Sequence, residues 1–203
     1  LERVRAVLQR HRPRGRPGAG DARALVDAGT GEVEVVDVRL VVDDDRVLPG
    51  VEVLDGLDVL VLFVQSGSHP LRLMTHPGHR SPAWATSTGR ALLALDSDDA
   101  VRQRFAAGLP PISANPPADV QELIARLDQV RSQHYASALN EALPGVGSVS
   151  CDVSDPATRE RLALCLSFPS ASADTTSIQA LAQELMTEAS GIGRLVGDPL
   201  WAR

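Results

Sequence analysis

Val51-Glu-Val-Leu-Asp-Gly56 runs straight into Leu57-Asp-Val-Leu-Val-Leu-Phe-Val64, and the fold is decided by how this stretch is read. β-Branched and apolar residues flank Asp55-Gly56, the dipeptide of a tight turn, so the spacing predicts two antiparallel strands. Val59–Val64 is apolar without alternation, which predicts a strand covered on both faces and set centrally in its sheet. Beyond the Ser66-Gly67-Ser68 connection, Leu71 to Met74 reads as a further strand. Upstream, Val33, Val35 and Val38 to Val42 read as strand, broken at the polar turn Asp43-Asp44-Asp45.

Downstream the period lengthens to that of helices. Ala91, Leu92 and Leu95 share a face over 87–95, and a second helix is predicted from Asp98 to about Ala107. Asp96, Asp98 and Asp99 suit the capping of that second helix, where negative charge meets the positive end of the dipole. Residues 119–133 place Val120, Leu123, Ile124, Leu127 and Val130 on one stripe. Two strands follow, 147–153 and 161–168, joined by Ser154-Asp-Pro-Ala-Thr158 as a hairpin. A closing helix is predicted after a Thr175/Thr176 cap, carrying Ile178, Leu181, Leu185, Met186, Ala189 and Ile192. The order predicts an α+β domain with a mainly antiparallel sheet flanked by helices.

The chain has 203 residues, 43% of them hydrophobic and 23% charged, which excludes a disordered or collagen-like polymer. No apolar run reaches the ~18 residues of a membrane span, and residues 1–20 lack the apolar block of a secretory signal. A soluble, cytoplasmic protein is expected, with no membrane partner. All 20 basic residues are arginine against 26 acidic ones, giving a net charge of −6. Aromatics are 3% of the chain, too few for the stacking platforms of single-strand nucleic-acid binders. Cys151 and Cys165 are too few for a disulfide framework or a thiolate zinc site. His69, His76 and His79 lie within eleven residues, yet Pro70 and Pro77 interrupt them, so a solvated loop is expected and no metal. There is no G-x-S-x-G, P-loop or G-x-G-x-x-G, and neither an enzyme nor a cofactor is expected.

Pro70-Leu-Arg-Leu, then Gly78-His-Arg-Ser-Pro82-Ala-Trp-Ala-Thr86-Ser-Thr-Gly89-Arg-Ala-Leu-Leu-Ala94, resembles the effector domain of the IclR family of bacterial transcription regulators. That domain typically reads PLRL…G-x-x-x-P-x-HAT-x-x-G-K-ALLA. Leu109-Pro-Pro-Ile, the 119–133 helix, Tyr135, Pro144-Gly-Val and the hairpin ending Cys165-Leu-Ser-Phe-Pro169 keep the family's order over residues 50–196. The resemblance implies a GAF-like effector domain binding a small metabolite, chains assembled as homodimers or homotetramers, and promoter DNA as a partner. The expected layout is an atypical or remnant DNA-binding region over 1–48 and the effector-binding domain over 49–203.

The resemblance also implies a ligand pocket. Gly78 and His79 fall at a glycine loop whose backbone amides approach the ligand, and Ser148 falls where cysteine is common. Cys165 and Ser167 match a Ser-x-Ser pair, with Leu62 and Val146 as apolar walls. Alternation puts 165 and 167 on one strand face, which suits a shared ligand and suits small core residues equally. Trp84 replaces the histidine of the HAT triplet and would reshape the cleft. The family's acidic pair falls at Ala138 and Leu139, so an acidic contact is expected to be absent. The effector implied is an organic acid, or a more apolar aromatic or acyl compound.

At the front, residues 1–11 and the stretch from Asp21 to Ala28 have helical potential, separated by the Pro- and Gly-rich 12–20. A complete winged helix-turn-helix does not fit, and Arg12, Arg14 and Arg16 are the candidates for phosphate contact. The function expected is a ligand-responsive regulator; the alternative is a freestanding small-molecule-binding module without DNA binding.

Overall fold

The computed structural model describes residues 22–24, 36–38, 47–64, 75–111 and 117–201. Its centre is a six-stranded, wholly antiparallel sheet of order β5-β4-β3-β8-β7-β6. These strands are β3 (Leu48–Asp55), β4 (Asp58–Val64), β5 (Arg80–Pro82), β6 (Ala136–Leu139), β7 (Val146–Asp155) and β8 (Glu160–Pro169). The helices are α1 (Ser87–Leu93), α2 (Asp98–Arg104), α3 (Val120–Gln133) and α4 (Thr175–Val196). The α+β class and antiparallel sheet read from the sequence are those observed.

Alternation along β7 and β8 sorts the side chains into two layers. Val149, Cys151 and Val153 join Leu164, Leu166 and Phe168 on one face, where Leu185, Ala189 and Val196 of α4 cover them. The opposite face carries α1, α2 and α3, which bury Leu92, Leu93, Val101, Phe105, Leu123, Ile124 and Leu127 around Val59 and Ala163. On that face the rows of β7 and β8 are small and polar. Ser150 stands directly opposite Cys165, and Ser148 opposite Ser167. Sheet and α1 therefore meet there through hydroxyls rather than methyls.

Several expectations change. A short two-stranded ladder pairs β1 (Ala22–Ala24) with β2 (Val36–Val38), so the helix expected from Asp21 gives way at 22–24 to pairing with a β-branched strand. The strand expected over 71–74, His69, the turn at 43–45 and Arg12, Arg14 and Arg16 lie outside the described residues. β4 sits one strand in from the edge, covered by β5, rather than at the centre. β5 and β6 are three and four residues long, too short to show a period. Ser97, not Asp96, caps α2, accepting from Ala100 N at 3.3 Å. Asp96 instead pairs with Arg104 and Arg161. Asp174 rather than the threonine pair caps α4, through a capping box with Ser177. Among the described residues no helix is long and apolar enough to cross a membrane.

Candidate functional site

The polar rows of β7 and β8 end under a cavity of about 80 Å3 between the sheet and the first turn of α1. Thr86 caps α1 by accepting from Gly89 N at 3.0 Å, which aims Ser87 and Thr88 at the sheet. Gly89 makes this seating possible: a Cβ there would lie 2.0 Å from Ala83 O. Ser87 Oγ donates to Ser148 Oγ at 2.7 Å and lies 2.7 Å from Ser150 Oγ, which is 3.1 Å from Thr88 Oγ1. Thr88 in turn hydrogen-bonds the Glu52 carboxyl. Cys165 Sγ and Ser167 Oγ are 3.5 Å apart beside this chain.

Glu52 and Cys165 face the cavity from adjacent strands. Burial pushes the Glu52 carboxyl up to about 7, with the Thr88 hydrogen bond opposing. Burial also raises the Cys165 thiol, and the neighbouring Glu52 charge adds to the effect. A thiol so placed stays protonated and acts as a hydrogen-bonding and packing group rather than a nucleophile. Glu141 closes another side. It is held by Arg90, which is 3% exposed and donates at 2.6 and 3.0 Å, and by Arg126 at 3.1 Å. The walls are apolar: Val61, Ala85, Ala138, Ala142, Leu143 and Val146. A cavity with a hydroxyl and carboxyl floor, apolar walls and no unpaired arginine among its lining residues suits a small ligand read by hydrogen bonds.

Of the residues singled out in the sequence, His79, Val146, Ser148, Cys165 and Ser167 line this cavity, and Leu62, Gly78 and Trp84 do not. A β-bulge explains Leu62. Val51 pairs with Phe63 and Glu52 with Val61, so Leu62 is skipped and Val61 takes the wall. The Gly78 amide donates to Val61 O at 2.8 Å and the His79 amide to His76 O at 2.9 Å, so neither is left for a ligand. His79 contributes its side chain instead, its ring 5.6 Å from that of His76. Trp84 is 1% exposed in the α1–α3 core beside Val59, and its indole Nε1 has no partner among the described residues. The missing acidic contact is also corrected. Ala138 lines the cavity and Leu139 is exposed, but Glu52 and Glu141 each bring a carboxyl.

The sequence reading missed Glu52, Ser87, Thr88 and Glu141. Glu52 left a signal: it is the one charge inside an apolar strand core, on the face opposite Val51 and Val53. Ser87 and Thr88 look like ordinary helix-start residues, and only the β7 pairing shows their second use. Among the described residues no cluster of three or more histidine, cysteine or acidic side chains could hold a metal ion.

Residues 51–194 match the family described as bacterial transcriptional regulator IclR C-terminal. The probable transcriptional regulator SauR of Cupriavidus necator is 30% identical over 149 residues, which are 72% of this chain and 59% of that protein. The chain thus spans about three fifths of that curated relative. The crystal structure of Thermotoga maritima IclR superposes with a TM-score of 0.69 at 18% identity, over 75% of this chain and 62% of that one. The inducer-binding domain of a PobR double mutant from Acinetobacter, solved with 3-hydroxybenzoic acid, gives 0.67 at 22% identity, over 74% and 89% of the two chains.

Proposed function

This chain belongs to the IclR family of bacterial transcriptional regulators, and from that premise we propose that residues 49–203 sense a small metabolite in the cavity beneath α1 and thereby modulate DNA binding. The observation that carries the proposal is the cavity itself. It opens on the face where β7 and β8 carry facing hydroxyls, and five residues read from the sequence line it: His79, Val146, Ser148, Cys165 and Ser167. The ligand-bound inducer domain of the PobR variant has the same fold, which supports a ligand site in this one. A volume of about 80 Å3 is about half that of a cavity that holds benzene, so the unliganded site suits a compact organic acid. An aromatic acid requires the α1 side to open. Ligand binding shifts the balance between two arrangements by its differential affinity for them.

The partners proposed are promoter DNA and further copies of the same chain, in the cytoplasm. Arg12, Arg14 and Arg16, in the region 1–48, are proposed to touch phosphates. The test is a gel shift on promoter fragments across a salt series, with and without small carboxylates, and with those three arginines replaced by alanine. The proposal expects weak, salt-steep retention that a carboxylate alters and the replacements abolish. Retention that no ligand changes refutes ligand response, and tight, specific binding that survives the replacements refutes the arginine assignment. The net charge of −6 favours one other reading, a binding module without DNA affinity. No retention even at low salt returns that reading.

A further inference from the structure

We infer that the effector is a compact 2-amino acid, whose carboxylate meets Ser148 and Ser167 and whose ammonium pairs with Glu52, the residue that sets this preference. The inference rests on the reading of the cavity as the effector site, and it follows from the charge that the lining leaves uncompensated. Two carboxyls border the cavity, those of Glu52 and Glu141. Glu141 is neutralised by Arg90 and Arg126. Glu52 has no ion-pair partner among the described residues. The lining includes neither lysine nor arginine, and its imidazole, His79, packs edge-to-face with His76 rather than on a carboxyl. Backbone amides do not make up the deficit, because those of Gly78 and His79 are already bonded to protein carbonyls. A charge held away from water is costly until it is paired, so a carboxylate in this position favours a ligand that brings a cation.

Strand register fixes where each end of the ligand lies. On the cavity face of β3, Glu52 stands opposite Ala163 and Gly50 opposite Cys165. Gly50 carries no side chain, and a Cβ there would lie 4.0 Å from that of Cys165, so the space beside Cys165 is left to Glu52. Across from Cys165, the Ser150 hydroxyl is already engaged with Ser87 and Thr88. The next row pairs Ser148 with Ser167. Ser87 donates to Ser148 at 2.7 Å, so Ser148 keeps its own O–H for a ligand. Ser167 has a long contact of 3.5 Å with the Cys165 thiol. Two residues of strand separate these rows, about 7 Å. A hydrogen bond of about 2.8 Å at each end leaves room for donor and acid groups on neighbouring carbons. Val61, Ala85, Ala142 and Val146 wall the remainder and suit a short aliphatic side chain.

Calorimetry on the 203-residue chain tests this with racemic alanine, racemic lactate and propionate. These three-carbon acids differ only at the second carbon, which carries an ammonium, a hydroxyl or a hydrogen. Alanine is expected to bind about tenfold to hundredfold tighter than propionate, the scale of a hydrogen bond to a charged group, with lactate between them. Glu52→Gln keeps the shape of the side chain and removes its charge. Propionate should bind that variant at least as well as before, and the preference for alanine should vanish. Propionate as tight as alanine in the unsubstituted chain, or an alanine preference that survives in the Gln variant, overturns this inference and leaves the cavity reading standing. Ser167→Val should weaken all three acids alike, by about tenfold. Acids that bind that variant unchanged lie elsewhere and overturn both readings, as does failure of all three to bind the unsubstituted chain.

Discussion

Gly89→Ala is the sharpest perturbation that this architecture allows. The new methyl would stand 2.0 Å from Ala83 O and 2.3 Å from Ala83 Cα, so it strikes backbone rather than a movable side-chain tip. Relief to ordinary van der Waals distance displaces α1 by roughly 1.4 Å relative to the turn before it, and overpacking of this kind costs about 1–3 kcal/mol. The same displacement carries the two 2.7 Å bonds of Ser87 beyond hydrogen-bonding range. Each buried bond lost costs about 1–2 kcal/mol. Alanine in a helix returns about 1 kcal/mol, leaving a net loss of about 2–6 kcal/mol. With a urea slope of about 2 kcal/mol/M, the unfolding midpoint should fall by about 1–3 M. Ligand binding should weaken in the folded variant, because the hydroxyl chain is broken. An unchanged or raised midpoint would refute the account of how α1 is seated.

Other outcomes follow from single contacts. Arg90→Met strips the buried Glu141 of its two-pronged partner and should cost about 3 kcal/mol in urea unfolding, as for other broken buried pairs. Asp152, raised to about 7 by burial and by the nearby Asp198, binds a proton in the fold that it releases on unfolding above pH 4. Its contribution to stability therefore declines as pH rises from about 4 to 7, and Asp152→Asn should flatten that decline in melts at pH 5 and 8. Gly193→Ala would place a methyl 2.6 Å from the Trp201 side chain, whose Nε1 donates to Asp152 O at 2.9 Å. Trp201 emission should shift to the red while buried Trp84 stays constant. An unshifted spectrum would contradict the packing of the C-terminal turn on β7. Sedimentation equilibrium should find a species heavier than 21.5 kDa, and a monomer at high concentration would refute the proposed oligomer.

The long elements were legible because their periods repeat often enough to show. α3 carries its apolar stripe for four turns, and the β7–β8 hairpin alternates over ten residues per strand. β5 and β6 repeat nothing, and exist because β4 and β7 need partners. Asp96 illustrates a second limit. Its charge suits a cap, but Arg104 from the end of α2 and Arg161 from distant β8 claim it once the chain folds. In the cavity, Cys165 and Ser167 were visible from alternation and resemblance together. Leu62 was misplaced because one bulge reverses the phase of a strand, and bulges leave no mark in an all-apolar run. Glu52 was overlooked since its neighbours around the cavity, Thr88 on α1, Ser148 on β7 and Cys165 on β8, are distant in sequence.

Chemical-shift mapping of the 15N-labelled chain during titration with lactate tests the central claim most directly. The account predicts that the largest changes fall on Glu52, Thr88, Ser148, Cys165 and Ser167, with Leu62 and the α4 face unmoved. Changes clustered on α4, or spread over the surface without a maximum at these residues, would contradict it.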